Sequence, residues 1–309
     1  MASVITTLGE ALIDLMPAGA DGTLWHARPG GAPMNVAVAA ARLGSPTSFI
    51  GHLSTDRFGA VVRAHLAEAG VDTTQCRITE APTTLAVVDP GGATSEPGFT
   101  FHSAHTTAVV FDAREVTVPA GLVHLCGSVS AVIEPAATVF GSLVADAASA
   151  GRLVSIDPNP RPAIAGDVRS FRRRLDGWID HAHLVKVSQA DLRWIEPALD
   201  HGSVARAWLG RGVRAVVVTL GGDGAVVHTA AEAVWVPASP IEVVDTVGAG
   251  DSFMGGLLTR LYELEVTEPA ALDDVDSAQW TEALEFAGSV AAVACSRVGA
   301  DPPWRHELP

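Results

Sequence analysis

The sequence predicts an α/β protein with one mainly parallel sheet covered by helices on both faces and a second, smaller sheet. Three observations predict it. From about residue 30 onward, short β-branched apolar runs alternate with longer Ala-rich segments of helical period, the pattern of βαβ units. Two stretches, about 10–28 and 83–107, break that rhythm with short strands and Gly and Pro turns but no helix. No internal repeat, low-complexity tract or long linker divides the 309 residues. A single domain, 1–309, is therefore expected, with the two stretches forming a small sheet that serves as a lid or an interface; the plainer alternative is a pair of decorated loops.

In chain order, ALIDLMP opens the first irregular stretch, and the spacing in NVAVAAARLG predicts a helix over 34–43. A strand follows at 47–51 and a helix at 58–69. TTLAVVDPGG and GFTFHS make up the second irregular stretch. Strands at 122–126, 153–157, 184–187 and 215–220 then alternate with helices at 135–150 and 170–181. Helices at 249–264 and 280–297 close the chain. Right-handed crossovers between parallel strands distribute such helices over both faces of the sheet.

Composition narrows the function. The chain is 48% hydrophobic and 18% charged, and a domain of this length buries roughly three quarters of its unfolded surface, enough to hold a core without disulfides or a structural metal. Twenty Lys and Arg against 35 Asp and Glu leave a net charge of −15, which excludes a general nucleic-acid binder. Cys76, Cys126 and Cys295 are scattered and form no CxxC pair, which fits a reducing compartment. The first 17 residues have no basic start, Glu10 and Asp14 interrupt their apolar run, and no stretch reaches the ~18 uninterrupted apolar residues of a membrane span. A cytoplasmic protein with no membrane partner is expected.

The strongest local signal is Asp245-Thr246-Val247-Gly248-Ala249-Gly250-Asp251-Ser252, between a strand-like IEVV and a helix-like SFMGGLLTRLYEL. Small residues at a helix N-terminus leave backbone N–H groups and the positive end of the dipole free for an anion. Asp251 at its mouth is either a base for a substrate hydroxyl or the N-cap of a Gly-rich turn. Gly30-Gly31 followed by Asn35 has the close approach and paired donor and acceptor of a sugar site, and equally the look of a common turn before a helix. Asp14, in an apolar run, either meets sugar hydroxyls or faces solvent from a half-exposed strand. Thr219-Leu220-Gly221-Gly222-Asp223-Gly224 turns at the end of a strand, where nucleotides bind in parallel sheets. No P-loop, GxGxxG, HExxH or GxSxG motif occurs, which removes the ordinary NTPase, dinucleotide, zinc and serine-hydrolase readings.

Together these residues resemble the ribokinase-like (PfkB) family of carbohydrate kinases, with the fructokinase type as the most similar branch. GEALIDLMP resembles the family's opening strand, GGAPMNVAVAAARLG its first signature and DTVGAGDSFMGGLL its second; GHLSTDRFG, HLCGS, DPNPR, LVKVSQADL and VTLGGDGA fall in the family's order between them. The resemblance implies a three-layer α/β/α sandwich with a β-sheet lid, and an ATP- and Mg²⁺-dependent kinase acting on a sugar. D-fructose to fructose 6-phosphate leads, with 2-keto-3-deoxygluconate and ribose kinases as alternatives; a non-catalytic sugar or nucleotide binder is the reading from another class. It implies Asp251 as general base, with the Gly248, Ala249 and Gly250 amides as anion hole. Asp14, Gly30, Gly31, Asn35 and Arg161 would hold the sugar. Lys186, Ser188, Thr219, Gly221 and Gly224 would border ATP, and Asp191 would act on Mg²⁺ through water. Asp245, Val247, Ala294 and Gly299 match the family's monovalent-cation loops, so K⁺ is a further candidate cofactor. Relatives often pair through the lid, which implies a homodimer, and Phe99, Phe101 and His102 of the lid are expected to influence sugar choice.

Overall fold

A computed structural model describes residues 3–18, 23–89, 98–110 and 116–308. The first half of the chain forms β1 (Val4–Leu8), β2 (Leu12–Pro17), β3 (Trp25–Gly30), α1 (Ala32–Arg42), β4 (Thr47–Ile50), β5 (His52–Ser54), α2 (Arg57–Glu68), β6 (Arg77–Thr79), β7 (Thr84–Asp89), β8 (Gly98–His102), β9 (Gly121–Cys126), α3 (Val129–Val132), α4 (Ala136–Ser149) and β10 (Leu153–Asp157). The second half adds α5 (Pro162–Ala165), α6 (Val168–Ile179), β11 (Leu184–Ser188), α7 (Gln189–Ile195), α8 (His201–Leu209), β12 (Ala215–Thr219), β13 (Ala225–Thr229), β14 (Ala233–Val236), α9 (Ala249–Glu263) and α10 (Ser277–Cys295).

The large sheet has eight strands in the order β14-β13-β12-β11-β10-β9-β1-β4. Its members from β4 to β12 run parallel, and β13 and β14 join antiparallel at one edge. Strands buried on both faces read as continuous apolar runs, and LVSID and AVVVT do so. One face packs Phe140, Phe171, Trp178 and Trp208 of α4, α6 and α8; the other packs Val36, Phe253, Leu257 and Trp280 of α1, α9 and α10. The three-layer sandwich predicted from the alternation is therefore present. Helix starts follow local chemistry: Asp56, Asp167, Ser188, Asp200 and Asp276 each accept an amide of the first turn as N-cap.

The second sheet has four strands in the order β3-β2-β7-β8. β7 and β8 alternate in burial, and Leu12 and Ala86 pack with Ala108 and Val129, flanked by Phe99, Phe101, Ile133 and Ile164, while Ile13 of β2 is buried in a second cluster with Met34, Val62 and Leu66. The decorated-loop alternative is excluded for the described part, although 19–22 and 90–97, inside the two predicted lid stretches, lie outside the described residues.

The expected elements need one addition and one correction. ALIDLMP supplies a strand of the small sheet, as expected, but the large sheet also has a strand before it, Val4–Leu8, which is absent from the strands expected above; the buried Thr6 and Thr7 give it a polar look. IEVV before the second signature is not a strand, and Ile241, Val243 and Val244 are exposed.

Helix α9 lies between α1 and α10 at close range. A Cβ on Gly255 would overlap Ala39 Cβ, and one on Gly256 would lie 3.0 Å from Ala287 Cα. The glycines in FMGGLL permit that approach.

Candidate active site

The carboxyl ends of β1, β9, β10, β11 and β12 point to one edge of the large sheet, and the first turns of α1 and α9 meet there beneath the small sheet. Ligand crevices of open α/β sheets lie at such edges. A cavity at this place is lined by Glu10, Asp14, Gly31, Asn35, Phe99, Phe101, Ser128, Arg161, Val247, Gly248 and Asp251, among others. Sequence segments separated by more than two hundred residues thus share one wall.

Asp14 comes from β2, and its side chain is buried, not turned to solvent as in the half-exposed-strand alternative. Among the described residues it has no hydrogen-bond or ion-pair partner, so its carboxylate is left for whatever enters the cavity. Gly30 stands beside it: a Cβ there would overlap Asp14 Oδ2. Gly31 is the N-cap of α1 at φ +107°, a conformation that favours glycine. Burial and the nearby Asp251 charge push Asp14 up to about 7, with Arg161 opposing.

Asp251 sits three residues into α9, whose N-cap is Gly248 at φ +75° with no capping side chain. The N-cap alternative for Asp251 is therefore excluded. Its carboxylate is buried and accepts a hydrogen bond from Asn35 Nδ2 at 2.8 Å. Burial raises its pKa to about 6, against the Asn35 hydrogen bond and the charges of Arg161 and Lys186. Of the predicted cradle, the Ala249 amide donates to the Thr246 carbonyl at 3.2 Å, whereas the Gly250 and Asp251 amides have no intramolecular partner among the described residues. The Gly248 amide likewise has no intramolecular partner among the described residues, so the turn into α9 uses only the middle donor of the three.

Lys186 and Asp157 form a buried ion pair at 2.8 Å. Burial works against the Lys186 charge, yet Asp157, Asp191 and Asp251 together hold the ammonium above the ordinary lysine range. A Cβ on Gly250 would lie 3.0 Å from Lys186 Nζ, so the cation lies directly against the α9 turn. Ser188 caps α7 by accepting the Asp191 amide at 3.0 Å, and its hydroxyl donates to Asp191 Oδ2 at 2.6 Å. Burial and the Asp157 charge raise Asp191. Thr219 ends β12, and Gly221 and Gly222 beyond it face open space, while a Cβ on Gly224 would overlap the Val236 carbonyl. Asp245 closes the loop before α9: the Val247 amide donates to its Oδ1 at 3.0 Å and the Gly299 amide to its Oδ2 at 2.8 Å. The Ala294 carbonyl accepts from the Arg297 amide, so it lies in the last turn of α10 beside this loop.

Two residues of the site had no role assigned from sequence. Asp157 stood in plain view at the end of LVSID, where a carboxylate terminating a buried strand is itself a signal. Glu10 accepts hydrogen bonds from the Ser128 hydroxyl and from the Ser130 amide, the latter at 2.9 Å, and so ties the turn between the two sheets to the start of α3. His102, by contrast, is exposed while Phe99 and Phe101 line the cavity, because alternate residues of β8 face opposite ways.

The arrangement can grip a polyhydroxylated molecule, present a carboxylate to one of its hydroxyls and place unpaired amides and a cation beside the same point, which are the parts of a sugar phosphotransferase. The chain belongs to the pfkB family of carbohydrate kinases, whose family model matches residues 3–307. A fructokinase of Rhizobium leguminosarum bv. trifolii is 34% identical over 84% of this chain and 79% of its own. A fructokinase from Xylella fastidiosa with bound ATP superposes with a TM-score of 0.88 at 30% identity, covering 99% of this chain and 95% of that one. A fructokinase from Vibrio cholerae O395, in a fructose, ADP and calcium ion bound form, gives 0.84 at 29% identity, covering 96% and 94%; a double mutant of it is in a potassium ion bound form. The chain is thus a phosphotransferase of the sugar-kinase class with the ribokinase-like fold. No helix among the described residues is long and apolar enough to cross a membrane.

Proposed function

We propose that this protein transfers the γ-phosphoryl group of ATP to D-fructose, giving fructose 6-phosphate. The observation that carries the reading is the Asp251 carboxylate, held by Asn35 at 2.8 Å at one wall of the cavity that Asp14 also faces, with the unpartnered amides of the first turn of α9 beside it. Asp14, Asn35, the Gly30-Gly31 backbone and Arg161 hold the sugar. Asp251 takes the proton from the hydroxyl as its oxygen attacks the γ-phosphorus and ADP leaves. The Gly248 to Gly250 turn and Lys186 receive the charge that builds on the transferring group. Thr219, Gly221 and Gly224 border the nucleotide, with Ser188 near its phosphates.

No set of three or more His, Cys, Asp or Glu that could hold a metal occurs among the described residues. Mg²⁺ fits such a site, because it retains water and is bound through one or two carboxylates together with substrate phosphates. Asp191 and Asp157 are the carboxylates that would hold it, and the ion would supply charge neutralisation at the phosphate oxygens. The Asp245 loop, with Val247, Ala294 and Gly299, is the place for K⁺; Asp245 accepts one amide on each oxygen and keeps acceptor capacity beside the loop carbonyls. The setting is cytoplasmic, and the lid sheet is the surface of a homodimer.

ADP release measured against fructose, 2-keto-3-deoxygluconate, ribose and adenosine tests the reading. Fructose should be preferred; preference for the acid sugar would make the unpaired Arg161 guanidinium its carboxylate clamp. Asp251→Asn should lose about 10²- to 10⁴-fold in turnover with sugar affinity nearly unchanged. With Asp251 at about 6, kcat/KM should fall below that pH as the carboxylate takes up a proton. Full turnover in a folded Asp251→Asn variant would remove Asp251 from the chemistry.

A further inference from the structure

Arg161 is unusual among the cations of this protein. It lies at the N-cap of α5, half-buried, at the wall of a cavity that also holds Asp14 and Asp251. Yet among the described residues it forms no hydrogen bond or ion pair. Its direct partner is an aromatic ring of the other sheet: the guanidinium carbon lies 5.4 Å from the Phe99 centroid. Phe99 in turn stacks on Phe101, with centroids 5.9 Å apart and planes 18° from parallel, and both rings, like Ile164 of α5, pack against the apolar cluster of Leu12, Ala86, Ala108 and Val129. A planar guanidinium stacked on a ring keeps all five N–H donors available in its own plane.

We infer that Phe99 is a positioning residue: by stacking under Arg161 it holds the guanidinium, donors unspent, at the cavity wall, and it does so only while the small sheet is seated on the main body. The inference rests on the kinase reading above and adds to it a coupling between the two sheets. Main body and lid each supply half of the arrangement, Arg161 from the turn after β10 and Phe99 from the edge strand β8. When the lid lifts, the ring leaves and Arg161 becomes an ordinary mobile side chain. The lid then does more than exclude water; its seating places the positive charge that Asp14, Asp251 and an entering substrate all face. Leu, Met or Ile at position 99 would fill the same apolar space without a π face to carry the cation.

A double-mutant cycle separates this from simple wall-filling. Phe99→Leu and Phe99→Met should each lower kcat/KM for the sugar by about tenfold, the scale of a partly desolvated cation–π contact, and Phe99→Tyr should recover it to within about threefold. In an Arg161→Ala background, Phe99→Leu should cost no more than about twofold further. Losses that multiply in the double variant, or equal behaviour of Leu and Tyr at 99, would overturn the inference. A readout independent of turnover is the Nε–H resonance of Arg161, assigned by its loss in Arg161→Lys. It should carry a ring-current shift that disappears in Phe99→Leu, and an unchanged resonance counts against the contact even if no sugar on the panel is phosphorylated. Asp251→Asn, run alongside, tests the kinase reading by itself: ADP release surviving there removes the base but leaves the cycle at 99 and 161 intact.

Discussion

A glycine and the carboxylate it touches decide whether the cavity can hold a sugar. Alanine at position 30 would put a methyl group onto Asp14 Oδ2, and the carboxylate would have to turn away. Gly30→Ala should therefore weaken sugar binding by at least about tenfold in calorimetry while moving the unfolding temperature by only a few degrees; unchanged affinity would separate Asp14 from the sugar. Asp14 itself carries a stability penalty whose sign follows from its pKa. A carboxyl raised from 3.8 to about 7 on folding binds its proton more tightly when folded. Its burial costs nothing below pH 3.8, costs progressively more as the pH rises, and costs most above about 7. Asp14→Asn should accordingly raise the unfolding temperature by about 5 °C or more at pH 8, with little effect near pH 4, and abolish sugar binding at both. A gain that is the same at both pH values would mean that the Asp14 pKa is not raised by folding. Residues of this kind were legible in sequence when an apolar run was interrupted by a carboxylate, as in ALIDLMP. Asp157 carries no local signal beyond closing a buried strand, and its pair with Lys186 joins two strands that no local pattern connects.

Among the elements, the small sheet is the one expected to move. It contacts the body through an apolar layer of Leu12, Ala86, Ala108 and Val129 and is tethered by polar contacts at its crossings. The Thr83 amide donates to Asp56 Oδ2 at 2.7 Å, the Ala108 amide to Thr84 Oγ1 at 3.1 Å, and the Ser130 hydroxyl to the Ala108 carbonyl at 2.8 Å. Hydrogen exchange should show β2, β7 and β8 gaining protection when sugar is bound, with β10 to β12 unchanged; equal protection with and without sugar would make the sheet a fixed wall. Element type was readable wherever burial imposed a period. The central strands 122–126, 153–157 and 215–220 were placed to within a residue, since β-branched runs bounded by turns admit few alternatives. Helix 280–297 begins instead at Ser277, because the Asp276 and Gln279 capping box, not the first apolar residue, sets its start. Strand β1 escaped because its two threonines are buried by neighbours on both sides, a tertiary fact. IEVV failed in the opposite way, being strand-like in composition with no edge to pair with.

For the molecule as a whole, acidity and an open lid edge set how it meets copies of itself. β3 is the outermost strand of the small sheet, and it begins at exposed Trp25 beside exposed Leu24, an edge of the kind that invites pairing. The proposed homodimer should sediment at twice the chain mass, and Trp25→Asp should shift it toward monomer; a wild-type monomer at micromolar concentration would make the lid edge a surface for sugar closure alone. The net charge of −15 adds that such a dimer should tighten as salt screens the repulsion between its halves. Gly255 and Gly256 let α9 lie against α1 and α10 with no side chain between them, and Asn35 of α1 meets Asp251 of α9 one turn away, across that same contact. The width of a glycine is in effect the gauge that spaces the two groups. A search for altered rates that randomised only the cavity wall would overlook it, whereas a single methyl at 255, touching neither sugar nor nucleotide, would pry the helices apart and register as a lesion in catalysis.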